Sequence, residues 1–253
     1  MNQIQKMKNV LFFIFLSVLF FSCRNNNKES YSAEIEKDTV KVENKFGFDN
    51  VLITETNDNE TDVSRKEEKI SPHTDFVNIK RLSDDFILDI KYATEDNFLK
   101  QAVYDCPECY LRKATAKALL AANEEFKKLG FRIKLFDCYR PLSVQKKMWA
   151  ILPGTHYVAN PAKGSKHNRG AAVDLTLVDM NKKELDMGTP FDFFGKEAHH
   201  TYTNLPEEVL KNRKLLKEIL HKHNFKSIYS EWWHYEFRPE INAKVEDFVW
   251  ECE

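Results

Sequence analysis

Two short stretches of the sequence combine side chains that bind zinc with one that could move a proton. The first contains His167 and Asp174, and the second, about sixty residues later, contains Glu231 and His234. Two imidazoles and one carboxylate can hold a zinc ion in a tetrahedral site whose fourth position stays open for water. Glu231 adds a carboxylate that could act as a general base. This set of groups is typical of a zinc hydrolase, in which the metal acidifies water and polarises a carbonyl.

The residues around Asp174 have the alternation of a β-strand. Successive side chains of a strand point to opposite faces, so in residues 170–177 the apolar side chains at 171, 173, 175 and 177 share one face and belong against helices. Asp174 then faces a cleft among small neighbours. Gly170 would allow the tight turn that brings His167 back over the strand.

The second stretch does not fit one zinc site so simply. Residues 231–237 are also predicted to form a strand, and a regular strand would place Glu231 and His234 on opposite faces. A bend near Ser230 or Glu231 must therefore intervene if both serve one metal. Isolated His and Asp residues are commonly ordinary core or surface groups, so the spacing alone leaves both interpretations open.

Hydrophobic periodicity predicts three helices and several strands outside these stretches. Asn204 is predicted to cap the third helix, and the helices cover residues 113–129, 142–151 and 205–223. Strands are predicted at residues 86–92 and 131–136. Helices and strands do not alternate regularly, which predicts an α+β domain with a mainly antiparallel sheet flanked by helices.

The N-terminus has the features of an export signal. Lys6 and Lys8 precede an uncharged apolar run, residues 10–21, and a small residue, Ser22, follows. The run is shorter than the roughly 20 residues that a membrane-spanning helix needs, so residues 1–22 are predicted to be a signal peptide. Cys23 after Phe-Phe-Ser resembles the lipid acceptor of bacterial lipoproteins, although the aromatic residues depart from the usual pattern. A plain cleaved signal peptide is the alternative.

Composition divides the rest of the chain of 253 residues. Residues 23–70 are polar and aperiodic and cannot bury enough surface to offset their conformational entropy, which predicts a disordered tether. Residues 71–253 are predicted to form one domain. The protein would thus be exported to the periplasm or cell surface and touch a bacterial membrane only through a lipid on Cys23. A net charge of -1 without a basic stripe argues against nucleic acid as a partner.

Four cysteines remain once Cys23 is set aside, namely Cys106, Cys109, Cys138 and Cys252. In an exported chain they predict one or two disulfides, with all three full pairings open. Cys106 and Cys109 also have the spacing of a redox or zinc-knuckle pair. A second such pair is missing, which favours a structural role.

The motifs resemble a known family. The pattern Ser-x-His-x-x-Gly-x-Ala-x-Asp followed by Glu-x-Trp-His, found at residues 165–174 and 231–234, is similar to the signature of zinc D,D-peptidases with the Hedgehog-type fold. Three further stretches, residues 89–98, Asp137-Cys138-Tyr139-Arg140-Pro141 and residues 186–192, resemble the D-alanyl-D-alanine dipeptidases of the VanX type. The resemblance covers most of residues 89–237.

The resemblance implies both an activity and the residues that perform it. The activity is hydrolysis of the small D,D-dipeptide D-Ala-D-Ala to two D-alanines in cell-wall metabolism. One zinc ion per chain would have three ligands, His167, Asp174 and His234. Glu231 would be the general base and Arg140 would steady the developing oxyanion. Ser165 and Asp192 would bind the substrate, with Asp192 holding its free ammonium.

Other functions remain as alternatives. A zinc D,D-carboxypeptidase or endopeptidase would trim peptidoglycan stem peptides with the same site. A zinc-binding lipoprotein without turnover is a second alternative, but a purely structural zinc needs neither a base nor an oxyanion partner. A third is a thiol–disulfide protein that acts through Cys106 and Cys109.

Overall fold

The computed structural model of the protein describes residues 74–155 and 157–252. The predicted signal peptide, the lipid acceptor Cys23 and the predicted tether lie outside these residues. None of the helices in the described ranges has the length and apolar character needed to cross a bilayer.

A five-stranded sheet forms the centre of the described part. Its strands lie in the order β2 (Ile87–Leu88), β4 (Phe131–Asp137), β5 (Ala172–Asp179), β7 (His234–Phe237) and β6 (Phe225–Ser227). Strands β2 and β4 are parallel, and every other neighbouring pair is antiparallel. A separate antiparallel pair joins β1 (Phe76–Asn78) to β3 (Tyr110–Arg112).

Helices cover one face of this sheet. They are α1 (Lys113–Lys128) and α3 (Glu207–Lys222), and a further helix, α2 (Leu142–Ile151), follows β4 in the chain. Helix α1 packs against β4 and α3, and α3 packs against β6. The buried stripes of the helices meet the apolar alternate residues of β5, Val173, Leu175 and Leu177. The predicted α+β class with a mainly antiparallel sheet is confirmed, and burial of this face fixes Asp174 on the opposite one.

Several predicted elements have other bounds in the structure, and the predicted strand at residues 170–177 becomes β5, Ala172–Asp179. Helix α3 begins after Pro206, which makes no side-chain capping bond, so the prediction of Asn204 as the cap is wrong. The predicted strand at residues 86–92 shortens to β2, because the chain turns into a 3-10 helix at Lys91–Ala93. The last predicted strand begins at His234 rather than Glu231. The chain bends at residues 229–230 and 232–233, on either side of Glu231, as the parity of the two side chains requires.

Two disulfides connect the cysteines whose pairing the sequence leaves open. Cys106 pairs with Cys252, and Cys109 pairs with Cys138. Cys106 and Cys109 therefore do not form a bond with each other, and this pairing gives no support to a thiol–disulfide activity. The Cys109–Cys138 bond is fully buried and joins the residue just before β3 to the residue just after β4.

Removal of the Cys109–Cys138 bond should destabilise the fold. Its closed loop of 29 residues predicts that the double variant Cys109→Ala, Cys138→Ala loses about 3 to 4 kcal/mol of unfolding free energy by the loop-entropy estimate. Denaturant unfolding of the oxidised proteins measures this difference. A variant that unfolds at the same denaturant midpoint as the parent would contradict the expectation.

Candidate active site

Two of the predicted metal ligands are direct neighbours across the sheet. Asp174 on β5 lies opposite His234 on β7, and it lies opposite Asp137 on β4 on its other side. The three residues thus form a row across adjacent strands on the face away from the helices. An irregularity in β4 between Leu135 and Asp137 ends the regular ladder at this row.

The third predicted ligand, His167, reaches this row from a tight turn. It begins a 3-10 helix, His167–Arg169, and Gly170 follows in the left-handed conformation with a φ of 65°. A Cβ at Gly170 would lie 2.3 Å from Cε1 of Phe76, so both the backbone conformation and the close packing require glycine. The turn leads directly into β5 and returns the imidazole of His167 over Asp174.

The three ligand atoms have the separations that a tetrahedral metal site requires. His167 Nε2 lies 3.2 Å from His234 Nδ1 and 3.4 Å from Asp174 Oδ2. His234 Nδ1 lies 2.9 Å from Asp174 Oδ1. Ligands that surround a zinc ion tetrahedrally at about 2.1 Å are about 3.4 Å apart. The donor set therefore fits a zinc ion, and all three residues are buried.

Neighbouring groups fix which imidazole nitrogen faces the centre. His167 Nδ1 lies 2.8 Å from the carbonyl oxygen of Cys138, which can only accept a hydrogen bond, so Nε2 is left for a metal. His234 Nε2 lies 3.5 Å from Glu236 Oε1, which leaves its Nδ1. Burial disfavours the charge of Asp174, but His167 and His234 outweigh it and hold the pKa of Asp174 below its usual value.

Glu231 lies beside the three predicted metal ligands, and its carboxylate is available to accept a proton. Glu231 lines the same cavity as the three ligands. Its carboxylate makes no hydrogen bond or ion pair with any of the described residues. Burial raises the pKa of Glu231, although His234 opposes the shift. Glu236 lines the cavity too, but its carboxylate is held by Lys226 at 2.9 Å. Of these two carboxylates, Glu231 is the one free to exchange a proton with a bound water.

Arg140 is held in place by a buried hydrogen-bond network. Its Nη2 donates to Asp137 Oδ2 at 2.5 Å, and its Nη1 donates to Gln145 Oε1 at 2.9 Å. The other oxygen of Asp137 accepts from the hydroxyl of Tyr104 at 2.7 Å. The Nε–H of Arg140 is buried without a partner in the described part of the chain. Arg140 also lines the cavity.

Asp192 and Ser165 lie on the wall of the same cavity. Both carboxylate oxygens of Asp192 accept from the hydroxyl of Tyr92, at 3.3 and 3.2 Å, and no cationic side chain of the described residues pairs with Asp192. Burial, reinforced by Asp174, raises the pKa of Asp192 well above its usual value. The Ser165 hydroxyl accepts from the Asn168 backbone N–H at 3.3 Å, so its own proton can be donated.

All seven predicted site residues therefore line one cavity of about 310 Å³. Its walls also include aromatic side chains, among them Tyr157 and Phe194, whose rings stack with centroids 3.7 Å apart. The space is small, and the three metal ligands, Glu231 and Arg140 all line it. Such a site can bind a short polar molecule and promote attack of water on it.

The sequence profile of the Peptidase M15 family, described as D-ala-D-ala dipeptidase, matches residues 72–249. The chain belongs to the M15 peptidase family. The D-alanyl-D-alanine dipeptidase of Escherichia coli (strain K12) is 35% identical to this M15 peptidase over 167 residues, which are 66% of this chain and 86% of that protein. The corresponding protein of Enterococcus faecalis (strain ATCC 700802 / V583) is 35% identical over 173 residues, 60% of this chain and 86% of that protein.

A comparison of structures gives weaker likenesses. The LdcB LD-carboxypeptidase is 23% identical and superposes with a TM-score of 0.36, covering 67% of this chain and 70% of that one. The family assignment therefore depends on the sequence match, which identifies this M15 peptidase as a metallopeptidase.

Several residues that shape the site were not predicted as functional. Asp137 and Tyr92 position Arg140 and Asp192, and both lie within motifs that carried the family resemblance, so a signal for them was present. Glu236 contacts His234 because residues two apart on a strand share a face, which the sequence pattern could have indicated. The Cys138 carbonyl left no signal, since a backbone group is independent of residue type.

Proposed function

We propose that this M15 peptidase hydrolyses D-Ala-D-Ala to two D-alanines, with one zinc ion held by His167, Asp174 and His234 and with Glu231 as the general base. The observation that carries the proposal is the convergence of the three ligand atoms, within 4.8 Å of one another, on a small cavity that Glu231 also lines. The dipeptidase relatives support the choice of substrate.

The residues of the cavity suit each step of amide hydrolysis. When bound, zinc would polarise the peptide carbonyl and acidify a water molecule. Glu231 takes a proton from the attacking water and returns it to the nitrogen of the leaving D-alanine. Arg140 directs its unpaired Nε–H at the negative charge that grows on the carbonyl oxygen, a role commonly worth about 3 kcal/mol per well-placed donor.

Asp192 would select substrates with a free amino group. Its partly buried carboxylate has only the Tyr92 hydroxyl as a hydrogen-bond partner in the described part of the chain. A buried carboxylate without a cation is costly, and a substrate ammonium would relieve that cost. Longer peptidoglycan stems carry an acylated nitrogen at this place and would leave Asp192 unpaired. Ser165 would complete substrate binding by donating its hydroxyl proton to the substrate.

The direct test is product analysis with the full chain. D-Ala-D-Ala should be cleaved to free D-alanine, N-acetyl-D-Ala-D-Ala and a pentapeptide ending in D-Ala-D-Ala should be poor substrates, and a chelator should abolish cleavage until zinc is restored. Comparable release of D-alanine from the pentapeptide would favour the carboxypeptidase alternative. Cleavage of D-Ala-D-Ala that survives the chelator would contradict the mechanism.

Replacement of Asp192 by asparagine should act mainly on substrate binding. Loss of a charged hydrogen-bond partner predicts a KM for D-Ala-D-Ala that rises about 10- to 100-fold, with a smaller effect on kcat. Cleavage of the N-acetylated dipeptide should not fall, because it has no ammonium. Steady-state kinetics on both substrates measures the difference.

Asp105→Asn is the matched control for this variant, since Asp105 is exposed and does not line the cavity. The control should behave like the parent on both substrates. An equal loss of activity on the free and acetylated dipeptides in Asp192→Asn would show that Asp192 does not recognise the ammonium.

We further propose that the protein is exported and lipid-anchored at Cys23. The lysines and apolar run before Cys23 support export, and two disulfides among the described residues suit an oxidising compartment. Metabolic labelling with a radioactive fatty acid should mark the parent and not Cys23→Ala. Labelling of neither protein, with both secreted in soluble form, would leave a plain cleaved signal peptide as the explanation.

A further inference from the structure

A second cavity of about 310 Å³ lies beside helix α3 and shares no lining residue with the active-site cavity. Three cationic side chains line it, Arg213, Lys214 and Lys217, and one carboxylate, Glu218. Three positive charges and one negative charge give these side chains a net charge of +2. Cavities with an excess of one sign of charge raise the local concentration of the opposite ion.

Arg213 contributes a buried positive charge that no carboxylate of the described residues neutralises directly. Its side chain is 5% exposed. Its three nitrogens donate to backbone carbonyl oxygens, those of Met187 at 2.7 Å, Glu197 at 2.9 Å and His199 at 3.3 Å. Carbonyl groups satisfy hydrogen bonds but carry no net charge. The guanidinium, whose Cζ lies 6.0 Å from the ring centroid of Trp232, therefore has no anionic partner in the described part of the chain. Burial lowers the pKa of Arg213, and Asp186 opposes this only through a longer-range attraction.

Lys217 is the second cation without an ion pair in the described part of the chain. It is partly buried on the same face of α3 as Arg213, one helical turn further on. Lys214, by contrast, lies 3.8 Å from Glu218, and both side chains are largely exposed. The uncompensated charge therefore sits with Arg213 and Lys217.

Two imidazoles complete the polar wall. The Nε2 of His200 is buried and has no hydrogen-bond partner in the described part of the chain. His221 Nε2 accepts from the backbone N–H of Ser227 at 3.3 Å, which leaves its Nδ1–H as a donor. Burial lowers the pKa of His200 to about 4, and Lys217, Arg213 and His221 add to the shift by repulsion. An anion in the cavity would reverse this repulsion.

We propose that this cavity is a binding site for a doubly charged oxyanion of the phosphate type, either inorganic phosphate or the phosphate group of a small monoester. The two uncompensated positive charges match a dianion. Arg213 contributes its charge, while Lys217, His200 and His221 present donors from α3 and from the segment before it. A tetrahedral anion has enough oxygens to use donors that come from several directions. Tyr202 and Leu210 on the wall would adjoin the organic group of a monoester.

The site can be tested by NMR titration of the full chain with inorganic phosphate at neutral pH and constant ionic strength. The imidazole resonances of His200 and His221 should shift saturably, and the pKa of His200 should rise when phosphate is bound. These resonances report on the second cavity alone, so phosphate that reaches an active-site metal does not confuse the measurement. Glycerol phosphate in place of inorganic phosphate shows whether the site accepts a monoester.

Lys217→Gln and Lys211→Gln form a matched pair of variants. Both change one lysine of α3, but Lys211 lies outside the cavity and pairs with Glu207 at 2.8 Å. Lys217→Gln should weaken phosphate binding by about tenfold or more, the usual size for one charge-assisted contact. Lys211→Gln should leave the dissociation constant unchanged, and neither variant should alter peptidase activity.

Equal affinity for sulfate would support a site for tetrahedral dianions. The proposal is overturned if the His200 resonance does not respond to phosphate, if acetate binds as tightly as phosphate, or if the two lysine variants weaken binding equally. None of these outcomes bears on the peptidase function, because the two cavities share no lining residue.

Discussion

Replacement of Glu231 by glutamine is expected to lower kcat for D-Ala-D-Ala by about 10²- to 10⁴-fold, the range that a positioned general base contributes. Glutamine has nearly the same shape but cannot take the proton of the attacking water. Glu231 is not among the three ligand residues that converge in the site, so the variant should still bind metal. Stopped-time D-alanine assays and metal analysis on the same preparation measure both effects.

Glu236→Gln is the informative comparison, because Glu236 is the other glutamate of the cavity wall and contacts His234. Because Glu236 orients the ligand His234, its replacement should lower metal affinity or activity about 10- to 100-fold. Added zinc should restore part of the loss. Added zinc should not restore Glu231→Gln. Near-normal turnover by Glu231→Gln would remove its role as the base.

Replacement of Asp174 by alanine is expected to abolish both metal retention and hydrolysis. Asp174 supplies the only carboxylate of the three-residue group and lies between the two imidazoles. The loss of metal affinity and activity should exceed the roughly 10- to 100-fold loss that follows removal of a group that only hydrogen-bonds to a metal ligand. Metal content by mass spectrometry and activity at saturating D-Ala-D-Ala are the two measurements.

Thr176→Val provides the control on the same strand. Thr176 is buried on the same face of β5 two residues further on, and its hydroxyl has no hydrogen-bond partner in the described part of the chain. Valine keeps its shape, so this variant should retain metal and activity. If Asp174→Ala kept its metal while remaining folded, the ion would have to be bound elsewhere.

Local sequence patterns were sufficient for the elements that carry their own signal. Helix α2 has the predicted bounds, and α1 ends one residue early, because apolar periodicity and the following Gly130 define them locally. The prediction of Asn204 as a helix cap failed because α3 begins only at Glu207, so Pro206 occupies the capping position and makes no side-chain capping bond. Cysteine pairing could not be predicted, since it depends on which distant segments meet.

The candidate site shows the same division. The need for a bend before His234 followed from strand parity and agrees with the structure, where β7 begins at His234. The placement of His167 followed from Gly170 and its turn. The cross-strand row of Asp137, Asp174 and His234 could not be predicted, because register between distant strands is set by the packing of the whole sheet.

The central claim is that His167, Asp174 and His234 jointly bind the metal ion that hydrolysis requires. An anomalous difference map from a crystal of the zinc-loaded protein, collected at the zinc edge, tests it most directly. We expect one peak about 2.0–2.2 Å from His167 Nε2, His234 Nδ1 and a carboxylate oxygen of Asp174. A zinc peak that lacks contact with at least one of these three residues would contradict the account. So would a stronger peak at another site in an active crystal.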